Sequence, residues 1–433
     1  MNQENVVKYI EKNNIKWVQA HFNDLLGRLR VLHFPANRFT KDDLISKGFR
    51  FDGSSVGFRK VEKSDMIAIP DIKTFRMLPH EIGEAVVRVD LYDTDFNLYR
   101  ADPRNILKQT IKMARSKGYD KIMFSPEMEF CCFDRSPDSE YKIQENASYF
   151  SPPPIDDAKA FRKKLSDIII DSGYKVKYHH HEKGKYQHEI EIGNLETLDA
   201  ADFCSYFKFV SCEVAQLYDF DVTFMPKPLS EEAGNGMHAH IVILNKEKNI
   251  FYDPYDEYNL SQTARYFIGG ILQHSRGIAA FANPTLNSYK RLIPHFEAPI
   301  HIAWARYNRS SLIRIPAKKN VDIEVRNADP AANPYLFFSA LIHAGLDGIK
   351  KKISYDPIQK NIYKMSEEEL KKYDIKRLPT NLMEALEEFS NDKVLLDGIG
   401  RDAADLFIEY KTNEWHRYMG EITDLDYKFY FNC

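Results

Sequence analysis

The sequence predicts an α+β protein with two domains, and three observations support this. The chain has 433 residues, more than one compact core ordinarily holds, and 43% of them are hydrophobic. Residues up to about 100 mostly follow the pattern of strands and turns. Strand and amphipathic helix patterns then alternate to about residue 350, and the remainder is mostly helical in pattern. We expect a smaller domain over 1–100 and a larger domain over 101–433.

The smaller domain is predicted to be built on a sheet. Trp17 to His21, Leu29 to Phe34 and Ala85 to Leu91 have the β-branched, alternating character of strands. Between them, residues 51–57 are rich in turn-forming types, which by themselves indicate a surface loop.

The larger domain is predicted to begin with a helix. Asp102 is a suitable N-cap, Pro103 suits the first helical turn, and Gly118 ends the apolar periodicity that follows. A strand over 122–133 comes next, and residues 157–172 form a second amphipathic helix.

Charge and composition exclude several classes of protein. Lys and Arg number 60 against 63 Asp and Glu, so the net charge of −3 offers no general attraction to nucleic acid or anionic membranes. The N-terminus is polar, and no apolar stretch reaches the roughly 18 residues that a spanning helix needs. Five cysteines without CxxC spacing are typical of reduced thiols, and we expect a cytoplasmic protein.

Four short stretches place acids, histidines or an arginine two residues apart, so that in a strand they face the same side. They are Glu127-Met-Glu129, His188-Glu189-Ile-Glu191, His238-Ala-His240 and Glu324-Val-Arg326. A lone Glu-x-Glu pair more often marks a solvated strand face, but four such strands together favour a cation site, because crowded carboxylates repel one another. Oxygen ligands with a single imidazole favour Mg²⁺ or Mn²⁺. The candidate ligands are Glu127, Glu129, Glu182, Glu189, His238 and Glu324.

Arginines and glycines supply a candidate anion site. The arginines fall within one segment and are Arg291, Arg309, Arg314 and Arg326. An arginine on an apolar strand needs a partner, which is either a bound carboxylate or phosphate or an internal acid. The Gly234-Asn235-Gly236 segment precedes His238 and allows close backbone approach, but it matches neither a Walker nor a Rossmann loop.

Taken together, the motifs resemble those of glutamine synthetase over nearly the whole chain. The matching stretches are FDGSS (51–55), SPEMEF (125–130), HHE (180–182), QHEIE (187–191), GNGMHAH (234–240), NPTLNSYKRL (283–292), FEAP (296–299), NRSSLIRIP (308–316) and EVRNADPAANPY (324–335). The resemblance implies an N-terminal β-grasp domain, and a C-terminal catalytic domain whose mostly antiparallel sheet forms a funnel surrounded by helices. It also implies a dodecamer of two hexameric rings, with active sites between subunits.

The resemblance assigns roles to individual residues. Glu129, Glu182 and Glu189 would hold one divalent ion, and Glu127, His238 and Glu324 a second, so that each site has two or more ions. Arg291, Arg326 and the backbone at Gly234 would bind glutamate. His240, Arg309 and Arg314 would serve ATP and its transferring phosphoryl group. Glu297 would be the flap acid, and Asp52, with Ser55, Tyr149 and Glu182, would deprotonate ammonium.

The activity implied is the ATP-dependent ligation of ammonia to the γ-carboxylate of L-glutamate, through γ-glutamyl phosphate. Four positions depart from the family pattern at the nucleotide and glutamate ends, and the loop 317–322 is about two residues short. They are Lys177, Val242, Asp322 and Ala233. Tyr363 occupies the segment that is adenylylated in some relatives, but its surroundings differ, and we predict that it is not modified.

Two alternatives stay open at this point. One is a ligase that joins glutamate to an organic amine, such as a polyamine or alkylamine, because paralogues of this kind keep the metals and change the acceptor pocket. The other is a non-catalytic assembly protein that binds a transcription factor or a PII-like protein, which the changed nucleotide end would permit.

Overall fold

The computed structural model describes residues 3–41, 44–135, 146–294, 296–318 and 320–433. Its N-terminal part contains α1 (Gln3–Lys12), β1 (Trp17–Asn23), β2 (Leu29–Pro35), α2 (Ala36–Lys41), α3 (Leu44–Lys47), β3 (Phe49–Asp52), β4 (Asp65–Met77) and β5 (Glu84–Tyr92). The sheet order is β2-β1-β5-β4-β3, and β1 and β5 pair in parallel while the other neighbours are antiparallel.

The larger part begins with α4 (Pro103–Ser116), which Asp102 caps by accepting a hydrogen bond from the backbone N–H of Arg104. Its first half continues through β6 (Lys121–Asp134), α5 (Lys159–Asp171), β7 (Val176–His181), β8 (Gln187–Ile192), β9 (Leu195–Glu196), α6 (Thr197–Gln216), β10 (Phe220–Thr223), β11 (Met237–Asn245) and β12 (Lys248–Asn249). The predicted N-cap, the strand over 122–133 and the helix over 157–172 are therefore confirmed to within about two residues.

The second half of this part is mostly helical after its short strands. It contains α7 (Gln262–Ala282), α8 (Ser288–Arg291), β13 (His301–Ile302), β14 (Trp304–Arg306), β15 (Ile313–Ile315), β16 (Ile323–Val325), α9 (Pro334–Lys351), α10 (Glu367–Lys372), β17 (Lys376–Arg377), α11 (Leu382–Asn391), α12 (Lys393–Ile399), α13 (Arg401–Met419) and α14 (Asp424–Tyr430). Within the described ranges, no helix is both long enough and apolar enough to cross a membrane.

A ten-stranded sheet forms the centre of the larger part. Its main path runs β14-β15-β16-β11-β6-β8-β7, and every neighbouring pair on it is antiparallel except β14 and β15. Helices cover one face of this sheet, and the contact is visible where Phe124 of β6 stacks on Phe338 of α9 with ring centroids 4.1 Å apart. Because that face is closed by helices, polar side chains on these strands gather on the opposite face.

The two parts are joined by a buried group of charges. The Arg104 guanidinium on α4 lies 2.6 Å from Asp90 on β5 and 3.0 Å from Asp202 on α6. Tyr335 at the start of α9 donates a hydrogen bond to Asp202 over 2.7 Å. One guanidinium thus ties the N-terminal sheet to two helices of the larger part. The division into 1–100 and 101–433 stays a prediction.

Candidate active site

The strands that carry the candidate ligands lie side by side in the order β16-β11-β6-β8-β7, and their registers bring the polar side chains together. His238 on β11 pairs with Glu127 on β6, and Glu127 pairs on its other side with Glu191 on β8. Glu129 pairs with Glu189, which lies opposite His180 on β7. Because cross-strand partners point to the same face, one acidic surface runs across β11, β6, β8 and β7.

Three groups on this face have ligand atoms within 4.8 Å of one another. They are Glu127 with His238 and Glu324, His180 with Glu182 and Glu189, and Glu127 with Glu191 and His240. The first group contains the residues that the resemblance assigned to the second ion. The second group contains two residues assigned to the first ion, Glu182 and Glu189.

Glu129, on β6, is the third residue assigned to the first ion, and one of its carboxylate oxygens is already hydrogen-bonded within the protein. Its Oε2 accepts hydrogen bonds from Gln187 Nε2 and from the backbone N–H of Gly236, each over 2.7 Å. These contacts fix the carboxylate opposite Glu189 and leave Oε1 as its other ligand atom.

The charges on this face suit a bound cation. Burial raises the pKa of Glu189 well above its usual value, and repulsion from Glu127, Glu129, Glu182 and Glu191 adds to the effect. Burial also acts to raise the pKa of Glu127, but the neighbouring imidazoles outweigh it, and that pKa lies well below its usual value. A divalent ion would remove the repulsion among these carboxylates, so the donor set fits Mg²⁺ or Mn²⁺.

Three residues of these groups were not among the predicted metal ligands, namely His180, Glu191 and His240, of which His240 was assigned to ATP. His180 Nε2 lies 2.8 Å from Glu182 Oε1, and its buried Nδ1 has no hydrogen-bond partner among the described residues. Glu191 lies beside Glu127 and forms an ion pair of 3.3 Å with Lys177. The two-residue spacing between Glu189 and Glu191 was the signal that could have placed Glu191 in the candidate set.

Arg291 lies at the edge of this face beside the glycine loop. Nη1 donates to the carbonyl of Asn327 over 2.6 Å, whereas the buried Nε has no partner among the described residues. Burial lowers the pKa of Arg291, and the nearby carboxylate of Glu129 partly offsets this effect. A Cβ at Gly234 would come within 2.4 Å of the Pro226 carbonyl, so only glycine fits there. The result is a buried cation with donor capacity that an anionic ligand can use.

The other predicted arginines have different surroundings. Arg326 donates from Nε to Glu324 Oε1 over 3.2 Å and from Nη1 to the carbonyl of Arg309. Arg314 forms an ion pair with the same Glu324, which is fully buried. The Arg309 side chain is exposed on the turn before β15. The internal partner that sequence reasoning allowed for Arg314 is therefore present, and it is one of the candidate metal ligands.

His240 is enclosed by charged neighbours. Its Nε2 lies 2.7 Å from Glu127 Oε1, and its Nδ1 lies 3.2 Å from Asp322 and 3.2 Å from Lys318 Nζ. Burial acts to lower the pKa of His240, but Glu127 and Asp322 outweigh it and raise the pKa to about 10. Asp322, which was predicted to depart from the family pattern, therefore pairs with a buried histidine and with Lys318 at 2.8 Å.

The predicted flap acid, Glu297, is exposed near the second group. Lys183, the residue after Glu182, donates from Nζ to Glu297 Oε1 over 2.5 Å. Tyr363 donates from its hydroxyl to the Glu297 carbonyl over 2.8 Å. The structure thus brings Glu297 close to the loop that carries Glu182.

The residues expected to bind ammonium are divided between two places. Tyr149 stacks on Phe150 and meets the edge of His180, so it adjoins the Glu182 group. Asp52 accepts hydrogen bonds from Ser54 and from Ser55, whose Oγ lies 2.5 Å from Oδ2. These bonds, with that of Ser54 first, lower the pKa of Asp52 to about 2. Among the described residues, no hydrogen bond or ion pair joins Asp52 or Ser55 to the metal groups.

Family models cover almost all of the chain. The glutamine synthetase beta-Grasp domain matches residues 14–94, and the glutamine synthetase catalytic domain matches residues 100–430. The glutamine synthetase of Pyrococcus furiosus is 42% identical over 413 residues, which cover 94% of this chain and 92% of that protein. The glutamine synthetase of Thermus thermophilus is 38% identical over 425 residues, 95% of each chain.

Solved structures agree in fold. A chain described as a GmaS/ADP complex superposes with a TM-score of 0.91 at 28% identity, and the glutamine synthetase of Plasmodium falciparum with 0.88 at 26%. Each match covers 99% of both chains. These comparisons confirm the predicted α+β class and the predicted glutamine synthetase activity, that of a glutamate–ammonia ligase, and they do not favour ligation to an organic amine. The chain belongs to the glutamine synthetase family.

Proposed function

We propose that the acidic face of the central sheet makes L-glutamine from L-glutamate, ammonia and ATP through γ-glutamyl phosphate. The observation that carries this proposal is that one face holds five of the predicted metal ligands in close groups, with Glu129 beside Glu189. At its edge lies a buried arginine whose Nε has no hydrogen-bond partner among the described residues. Carboxylates that need a cation and a guanidinium that needs an anion suit the transfer of a phosphoryl group to a carboxylate.

Two divalent ions, Mg²⁺ or Mn²⁺, are proposed to bind this face. Glu129, Glu182 and Glu189 would hold one ion, and Glu127, His238 and Glu324 the other. When bound, the ions would neutralise charge on the phosphate oxygens during transfer. Support comes from the raised pKa of Glu189, because a carboxylate that resists ionisation among its neighbours ionises readily once a cation is present.

Arg291, Arg326 and the backbone at Gly234 are proposed to bind glutamate. The buried Nε of Arg291 offers a donor that the protein itself does not use, at least within the described ranges. A carboxylate of the substrate would accept from it and offset the burial of the guanidinium. The γ-carboxylate would then point towards the metal groups.

Arg309, Arg314 and His240 are proposed to serve ATP. Arg314 already neutralises Glu324, and its side chain remains 14% exposed, so a phosphate oxygen could reach it. At the departures from the family pattern, Lys177 balances Glu191, and Lys318 lies beside Asp322. These two lysines would supply positive charge to the ATP triphosphate at the end of the site where the family pattern is not kept.

Asp52 and Ser55, donated by a neighbouring subunit, are proposed to meet Tyr149 and Glu182 around ammonium. The lowered pKa of Asp52 keeps its carboxylate ionised, so it can attract the ammonium cation. Closure of the pocket would bury the carboxylate, raise its pKa and so let it accept the proton. Glu297 would close that pocket. This arrangement requires an oligomer, and we propose the dodecamer of two hexameric rings.

The C-terminal segment supports an assembly. Beyond α13, a set of apolar side chains is exposed, namely Ile422, Leu425, Tyr427, Phe429, Tyr430 and Phe431. A patch of this kind is typical of a contact between proteins.

One experiment tests the activity. ADP release from ATP is measured with glutamate and Mg²⁺, with ammonium or with a panel of alkylamines and polyamines as acceptor. We expect release with ammonium and equimolar glutamine, and a loss of at least about 100-fold in kcat for Asp52→Ala. Release with amines alone would assign the organic-amine activity, and no release with any acceptor would refute ligation.

A further inference from the structure

The backbone around Glu297 adopts a strained turn. The N–H of Ala298 donates to the carbonyl of Phe296 over 2.8 Å, and Glu297 between them has a φ of +65°. A hydrogen bond from residue i+2 to residue i around a residue of positive φ defines the classic γ-turn, which is rare because it is strained. Such a turn persists only where surrounding contacts hold it.

The first contact acts on the side chain. Lys183 Nζ lies 2.5 Å from Glu297 Oε1, although the two residues are far apart in sequence. The backbone N–H of Lys183 donates to Glu182 Oε2 over 3.0 Å, so the lysine is itself tied to a candidate metal ligand. Lys183 therefore links the turn to the second metal group.

The second contact acts on the backbone. The Tyr363 hydroxyl donates to the Glu297 carbonyl over 2.8 Å. Tyr363 belongs to a short 3-10 helix over 362–364, in which Ile362 is fully buried and its N–H donates to Ser310 Oγ over 2.9 Å. Burial raises the pKa of Tyr363, while the nearby Arg326 guanidinium acts to lower it, so the phenol lies on the glutamate side of the site.

We propose that Lys183 and Tyr363 are positioning residues that clamp the Glu297 turn over the site. The proposal rests on the proposed function, in which Glu297 closes the pocket around ammonium. One clamp contact comes from the loop that carries a metal ligand, and the other from beside the glutamate arginines. The turn is therefore held closed only when the loop that carries Glu182 and the segment that carries Tyr363 both occupy the positions seen here.

The clamp predicts a specific chemical failure when it is removed. In γ-glutamyl phosphate, water that enters an open pocket attacks the γ-carbonyl carbon, the bond from that carbon to the phosphate oxygen breaks, and glutamate and phosphate are released. ATP is then converted to ADP without formation of glutamine. A closed turn prevents this, because it excludes water while ammonia attacks.

The first test measures the turn in the substrate-free protein. Hydrogen exchange of the Ala298 amide is compared between the parent protein and the Lys183→Met and Tyr363→Phe variants. We expect exchange to become at least about fivefold faster in both variants, because the hydrogen bond across the turn opens more often. Lys185→Met serves as the matched control, since Lys185 lies in the same loop and pairs with Glu232 rather than with Glu297. Unchanged exchange in both clamp variants would overturn the proposal.

The second test measures the ratio of ADP to glutamine during turnover. We expect a ratio near one for the parent and for Lys185→Met, at least about a threefold higher ratio for Lys183→Met and Tyr363→Phe, and recovery in Lys183→Arg, which retains the ion pair. If the parent protein and both clamp variants all gave a ratio of ADP to glutamine near one, the clamp would be refuted. A parent that forms no glutamine would refute the proposed function instead, while the exchange experiment would still judge the clamp.

Discussion

Gly236 and Arg291 are so close that a Cβ atom on this glycine would lie 2.9 Å from Arg291 Nη2. The guanidinium cannot easily move away, because it is buried and donates to the Asn327 carbonyl over 2.6 Å. The same Cβ would lie 3.0 Å from His238 Nε2, so one methyl group would disturb both the candidate glutamate site and a candidate metal ligand.

We therefore expect Gly236→Ala to raise the KM for glutamate at least about tenfold, with a smaller fall in kcat. Steady-state kinetics at saturating ATP and Mg²⁺ would measure both constants. Gly193→Ala is a suitable control, because a Cβ there meets its nearest atom only at 3.5 Å. An unchanged KM in Gly236→Ala would remove Arg291 from the glutamate site.

Glu127 belongs to two of the three potential metal groups, whereas Glu191 belongs to one. We expect Glu127→Gln to lower kcat by at least about 100-fold and to reduce the rise in Tm that Mg²⁺ or Mn²⁺ produces, because one of the two proposed ions loses a ligand while Glu129, Glu182 and Glu189 remain. Glu191→Gln should reduce that rise by a smaller amount. Metal titrations followed by thermal unfolding would compare the variants. Equal responses of Glu127→Gln and the parent protein would contradict the assignment of Glu127 as a ligand.

Lys177 neutralises Glu191 through an ion pair of 3.3 Å. Without this lysine, Glu191 would repel the ATP phosphates, and we expect Lys177→Met to raise the KM for ATP about three- to tenfold while the KM for glutamate stays the same. Lys175→Met removes a charge from the same region at an exposed position and should leave both constants unchanged. Equal effects of the two substitutions would indicate only a general loss of positive charge.

Asp102 is buried where the N-terminal sheet meets α4, and its pKa is raised from 3.8 to about 7 by burial and then by repulsion from Asp90. Between these pH values the folded protein binds a proton that the unfolded chain releases, so this group makes the free energy of unfolding fall as pH rises from about 4 to about 7. Asp102→Asn keeps an N-cap and removes the titration.

We expect the free energy of unfolding of the parent, relative to Asp102→Asn, to fall by about 2–4 kcal/mol over this pH interval. Urea unfolding at pH 4 and pH 7 would measure it. A difference between the two proteins that does not depend on pH would show that Asp102 titrates normally.

Removal of residues 421–433 deletes the exposed aromatic segment and leaves α13 intact. We expect the truncated protein to form smaller assemblies than the parent protein, because the apolar contact is lost. Light scattering coupled to size-exclusion chromatography would show this. An unchanged mass would place the contacts between subunits elsewhere.

Local sequence signals predicted the elements that depend mainly on their own residues. The N-cap Asp102 and the following Pro103 predicted the start of α4, and the alternation around Glu127 predicted β6 to within one residue at each end. β4 was not predicted, because Pro70 interrupts its pattern and its pairing with β5 contains an irregularity between Asp71 and Arg76. Its length depends on neighbouring strands rather than on its own residues.

The candidate site was predictable to the extent that strand spacing determines it. Two-residue spacing selected the acids on β6 and β8, and the registers then brought them together. Contacts between loops left no such signal. Lys183 meets Glu297 because two loops converge above the sheet, and no sequence spacing identifies this pairing. Asp322 precedes Glu324 by two residues, and His240 lies opposite Glu324 on β11, so the same spacing could have placed Asp322 beside His240.

The register of β11, β6 and β8 has a consequence for refolding. A slip of one residue would turn every ligand on the shifted strand towards the helices and expose apolar side chains in its place. Chains with native amounts of strand but slipped pairing would therefore lack affinity for divalent ions. The recovery of ion binding after dilution from denaturant should lag behind the recovery of circular dichroism, and the interval between them measures how long the chain takes to select its correct pairing.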